Sequence, residues 1–112
     1  MNEMIWSLEM EYFTGLYSGR HDQVLALTHP DFLGWPDGLA CPLDRQGSAD
    51  YMRRFSAGPC ELYIERGGIQ IQGGVALTQY TLNAGQVRSR ICHTWVDMDG
   101  QWKLRGGMSS KL

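Results

Sequence analysis

Apolar residues in the first seventeen positions recur at helical spacing. Ile5, Leu8, Tyr12 and Leu16 form one stripe and Trp6, Met10, Phe13 and Tyr17 an adjoining one, which predicts a helix from about Met4 to Tyr17 with a wide apolar face. Ser18-Gly19 offers a left-handed stop. Asp22 is placed to cap a short second helix, Gln23 to Thr28, which His29-Pro30 ends. Phe32-Leu33-Gly34-Trp35-Pro36 is short and interrupted, so it predicts an edge strand, and the stretch from Asp37-Gly38 to Gln46 a loop. Ser48 heads a third predicted helix reaching about Ser56, with Tyr51, Met52 and Phe55 as its apolar side and Gly58-Pro59 as its stop.

From Glu61 the period changes to two. Gly73-Gly74, Asn83-Ala84-Gly85 and Asp99-Gly100 divide the remainder into a four-strand antiparallel meander at about 61–72, 75–83, 86–98 and 101–110, with a bulge expected at Gly67-Gly68. The turns fix parity, because side chains directly opposite in an antiparallel pair share a face. A two-residue turn at Asp99-Gly100 sets Asp97 opposite Trp102, Trp95 opposite Leu104, His93 opposite Gly106 and Ile91 opposite Met108. A turn at Ala84-Gly85 then places Ala76 beside His93, Thr78 beside Ile91 and Tyr80 beside Ser89, and the Gly73-Gly74 turn adds Ile69 and Ile71 to this inner face. Arg88, Arg90, Lys103 and Arg105, with Gln70, Gln72 and Gln79, fall on the other face. The expected fold is one α+β domain over residues 1–112: N-terminal helices packed on a strongly curved antiparallel sheet, a cone-shaped α+β barrel around a mostly apolar hollow.

Composition narrows the function classes. With 112 residues and 43% hydrophobic content the chain suits a single core. Ten basic against twelve acidic residues, a net charge of -2, leave no electrostatic footprint for nucleic acid or an anionic membrane. No apolar run approaches the ~20 residues that span a bilayer, and the start lacks a basic segment followed by an apolar one, so a cytoplasmic protein is expected. Cys41, Cys60 and Cys92 are too widely spaced for a disulfide framework or a CxxC metal site. His29, His93, Asp31 and Asp97 show no metal-ligand spacing, so neither metal nor cofactor is expected.

The inner face supplies the candidate site. His93 has the side chain whose charge changes near neutrality, and the expected neighbours Gly106 and Ala76 leave room beside it. Tyr80, Thr78 and Tyr12 add hydrogen-bonding groups. Trp6, Ile91, Trp95 and Met108 add apolar walls, and Trp35 stands at the rim. Asp31 is a candidate base at the mouth, although an Asp after Pro30 is commonly a turn residue. Leu77, Cys92, Thr94 and Val96 make the outer face partly apolar, which predicts a homodimer through the convex side of the sheet.

The order of helices, the segment Leu27-Thr28-His29-Pro30-Asp31-Phe32, the meander, and the ending with Trp95, Asp99-Gly100, Trp102 and Ser110 resemble the nuclear transport factor 2-like superfamily, in particular its SnoaL-like domains. The resemblance implies the cone-shaped fold and a pocket, in a group that includes ketosteroid isomerase, polyketide cyclases, limonene epoxide hydrolase, dehydratases and non-enzymatic binding or assembly domains. Tyr12, seven positions before Gly19, matches the oxyanion-binding tyrosine of ketosteroid isomerase. Trp35, before Pro36, stands where that enzyme carries its base, and Met108 where many relatives carry an inward histidine, so that enzyme's own arrangement is not expected. Three functions remain: a domain binding a small apolar or amphipathic molecule; a cofactor-independent acid–base enzyme of isomerase, cyclase or hydrolase type; and a dimerising module with a closed core.

Overall fold

A computed structural model describes residues 1–54, 58 and 60–112. The elements run α1 (Asn2–Tyr17), α2 (His21–Ala26), β1 (Thr28–Trp35), β2 (Leu43–Asp44), α3 (Arg45–Arg54), β3 (Leu62–Gln72), β4 (Val75–Ala84), β5 (Val87–Met98) and β6 (Gln101–Lys111). Helix α1 ends where expected: the Ser18 hydroxyl donates to the Thr14 carbonyl at 2.6 Å, and Gly19 turns the chain at φ +76°. Helix α2 starts earlier than expected, with Arg20 as N-cap and Asp22 inside its first turn. For α3 the cap is Asp44, whose carboxylate accepts the Gly47 N–H at 2.7 Å, while Ser48 is buried within the helix. The expected continuation to Ser56, with Phe55 on the apolar side and Pro59 in the stop, lies outside the described residues.

The six strands form one open, mixed sheet in the order β2-β1-β6-β5-β4-β3. The meander β3 to β6 is antiparallel throughout, as the turns predict. Strand β1 is not an edge: it pairs antiparallel with β2 and parallel with β6. The antiparallel sheet expected from sequence is thus mixed at that one junction. Pro30 is accommodated because the β1–β6 ladder is irregular between Thr28 and Leu33, and Gly106 lets the two backbones close up. A Cβ on Gly106 would sit 2.0 Å from the Leu33 carbonyl oxygen.

Two register details differ from expectation. The β4–β5 turn is Gly85-Gln86, with Ala84 opposite Val87, so the ladder slips by two residues and Thr78 faces His93, Tyr80 faces Ile91 and Ala76 faces Trp95. A slip of two preserves the inner face. In β6 the ladder shifts between Trp95 and Thr94: Trp95 stays opposite Leu104, but Thr94 is opposite Gly106 and His93 opposite Gly107. This bulge at Arg105 reverses the parity of the strand's end, so Met108 aligns with Cys92 and is 58% exposed. The bulge expected in β3 is present between Arg66 and Gly68.

Helix α1 lies over the inner face. Ile5, Trp6, Tyr12 and Phe13 pack with Tyr80, Leu82, Ile91, Trp95, Trp102 and Leu104 in one core. Among the described residues no helix is long and apolar enough to cross a membrane.

Candidate functional site

One carboxylate organises the interior. Glu9 is fully buried in the middle of the α1 stripe, one turn from Ile5 on one side and from Tyr12 and Phe13 on the other. A buried carboxylate is tolerated only when its oxygens are satisfied. Oε2 accepts hydrogen bonds from the Thr78 hydroxyl and from Trp95 Nε1 at 2.9 Å, and Oε1 accepts from the Tyr80 hydroxyl at 2.5 Å and faces His93 Nδ1 at 2.6 Å. Burial is the largest influence on Glu9 and pushes its pKa up. The His93 charge and the bonds from His93, Thr78 and Tyr80 together outweigh it, holding the carboxyl below its ordinary value. Glu9 is therefore an anionic centre caged by four donors.

This fixes His93. An ionised Glu9 can only accept, so the proton between them sits on Nδ1 and the lone pair of a neutral ring is on Nε2. The ring is held flat by Phe13, stacked at 5.8 Å and 11°, and edge-on by Tyr12 at 5.6 Å. Among the described residues Nε2 has no partner. Nor has the Tyr12 hydroxyl, although Tyr12 is only 8% exposed. Every fully sealed side-chain nitrogen or oxygen among the described residues is hydrogen-bonded, so these two unpaired atoms are open to the space beside them. Burial, followed by the Glu9 charge, pushes the Tyr12 phenol up to about 12, so it stays a neutral donor near neutrality.

That space is a cavity of about 250 Å³, near the lower end of the range for small-molecule sites. Tyr12, Phe13 and His93 line its buried end, Phe32, Leu82, Ile91 and Met52 its apolar walls, and Trp35, Asp37 and Lys111 its exposed end. Of the residues singled out from sequence, Tyr12, Trp35, Ile91, His93 and Met108 border the cavity. Thr78, Tyr80 and Trp95 stand behind it as donors to Glu9. Trp6 packs edge-on against Tyr80 at 5.5 Å and under the Arg66 guanidinium. Gly106 lies against β1 instead of His93, and Gly107 takes the place expected for it. Asp31 is exposed on β1, its N–H donating to His29 Nδ1 and its carbonyl accepting from Arg105, and it does not line the cavity. Sequence reasoning missed Glu9 entirely. Its signal was available: positions 5, 9, 12 and 13 share one helical face, so a carboxylate at 9 falls inside the apolar stripe.

Among the described residues no three His, Cys, Asp or Glu side chains converge as a metal-binding set. Cys41 and Cys60 are exposed and Cys92 half-buried, all as free thiols.

No protein-family model matches the chain, and no curated protein is similar to it. Solved structures are. An NTF2-like protein from Cytophaga hutchinsonii superposes over 100% of this chain and 98% of its own, with a TM-score of 0.88 at 13% identity. This chain has the nuclear transport factor 2-like fold. A ketosteroid isomerase-like protein from Parabacteroides distasonis matches 98% of the chain and 86% of its own (TM-score 0.84, 20% identity). An NTF2-like protein of unknown function from Shewanella baltica matches 99% and 93% (TM-score 0.80, 13% identity). At these identities the likeness concerns the NTF2-like fold alone, with its helices over a curved sheet.

Proposed function

We propose that this domain binds a small, mostly apolar molecule bearing a carbonyl or hydroxyl oxygen, and that His93 moves a proton on it without a cofactor. The observation that carries the proposal is the Glu9–His93 pair at 2.6 Å, with His93 lining the cavity and its Nε2 without a partner among the described residues. A carboxylate that fixes the imidazole tautomer and stabilises the imidazolium is the arrangement by which a histidine serves as general base. In the proposed step Nε2 takes a proton from carbon next to a carbonyl, the Tyr12 hydroxyl donates to the oxygen as negative charge develops there, and the proton returns from Nε2 to carbon or oxygen. The base is His93 and not a residue of β1, which sets the chemistry apart from that of ketosteroid isomerase while the Tyr12 role is kept.

The proposal extends to a SnoaL-like domain of the cytoplasm, working as a homodimer through the outer face of the sheet. That face leaves Val75, Leu77, Val96 and Met108 partly or largely uncovered.

The test is hydrogen–deuterium exchange at the α-carbons of cyclohexanone in heavy water, followed by NMR. The wild type should accelerate exchange, Tyr12→Phe should reduce the acceleration, and His93→Gln should abolish it. A ketone that perturbs the His93 resonances yet exchanges only at the buffer rate would leave binding in place and remove the proton transfer.

A further inference from the structure

The buried end of the cavity accounts for one polar group of a ligand; the exposed end has unused donors of its own. Beyond the bulge in β6, Gly107, Ser109 and Lys111 alternate on the cavity side, opposite His93, Ile91 and Ser89. Among the described residues the Lys111 ammonium and the Ser89 hydroxyl have no partner. The Ser109 oxygen accepts the Asp37 N–H at 3.1 Å, which leaves its own hydrogen free to donate. Asp37 is the other charge at this end, and its carboxylate is engaged: Oδ1 accepts the Lys111 backbone N–H at 3.1 Å. Among the described residues the lining charges are thus a bonded carboxylate, an imidazole tied to Glu9, and one uncommitted cation flanked by two hydroxyls.

Building on the proposed pocket, the geometry points to a ligand that is an organic acid, with its oxygen function at His93 and Tyr12 and a carboxylate at Lys111, Ser89 and Ser109. Gly107 and Lys111 are four residue steps apart, roughly 13 Å along β6. That span suits a short apolar chain between the two polar ends, the Lys111 side chain covering the remainder. An ammonium with two hydroxyls favours a carboxylate over an uncharged group of the same size.

The experiment uses two probes that differ only in charge, 6-oxoheptanoate and 6-oxoheptanamide, titrated into the full chain and read from the His93 imidazole resonances. The acid should bind more tightly than the amide, and Lys111→Met should weaken the acid about fivefold, the scale of one partly exposed ion pair, while leaving the amide unchanged. Lys111→Arg should restore most of the preference. Equal affinities in the wild type, or a Lys111→Met variant that keeps the preference, overturns the carboxylate assignment while amide binding at His93 upholds the pocket. If neither probe moves His93, the pocket reading and the acid assignment fall together.

Discussion

Replacing Glu9 by glutamine changes one oxygen to an amide, and the cage around it dictates the outcome. Trp95 Nε1 can only donate, so the glutamine must keep its oxygen toward Thr78 and Trp95 and turn its NH2 toward Tyr80 and His93. His93 Nδ1 must then accept, which moves the ring proton to Nε2. The atom facing the cavity changes from acceptor to donor. Two bonds fall from charge-assisted to neutral and two reverse direction. At about 1.5 to 3 kcal/mol for a bond to a charged group, with partial recovery, the expected destabilisation is about 2–4 kcal/mol. A domain of this size should lose on the order of 10 °C in Tm. Urea denaturation measures the first quantity, and long-range proton–nitrogen NMR on the imidazole reads the tautomer. If Glu9→Gln keeps the proton on Nδ1, or costs less than about 0.5 kcal/mol, the account of Glu9 as the residue that sets His93 is refuted.

The two interior tyrosines should part company. Tyr12→Phe removes a hydroxyl with no partner among the described residues and should shift apo stability by less than about 0.5 kcal/mol, whereas Tyr80→Phe takes a donor from Glu9 and should cost about 1.5–3 kcal/mol in the same urea titration. Gly106→Ala forces a Cβ against the Leu33 carbonyl and should destabilise by more than about 2 kcal/mol, with β1 amides losing hydrogen-exchange protection first. Because folding lowers the Glu9 pKa from 4.5, its contribution is complete above that pH and drains away as the pH falls through the lower folded value. Stability should therefore decline below about pH 4.5, and Glu9→Gln should flatten part of that decline. The remainder belongs to Glu3 and Glu65, lowered at the surface first by hydrogen bonds from Arg66 and from Asn83 and Arg88, respectively.

Much of the fold was readable because its signals are local. Gly19, Gly73 and Gly100 sit at positive φ where the turns were expected, and Ile5, Trp6, Tyr12 and Phe13 face the core as their spacing requires. What escaped depends on contacts distant in sequence. Strand β1 carries Pro30 and Gly34, marks of an edge, and only its pairing with β2 and β6 makes it interior. The turn at Gly85-Gln86 differs from one at Ala84-Gly85 by a single step that composition does not resolve. Glu9 was invisible for a chemical reason. A carboxylate reads as solvent-facing until Thr78, Tyr80, His93 and Trp95, about 70 to 86 residues away in sequence, are seen to meet it.

The irregularity at Arg105 sets how much room the interior has. With an unbroken ladder, the thioether of Met108 would point inward next to Ile91, and the imidazole would face a different glycine. Chain length between Leu104 and Gly107 therefore decides which side chains of the strand's end face the cavity. Deleting that single residue would turn the Met108 side chain to the inner face while leaving the composition almost untouched.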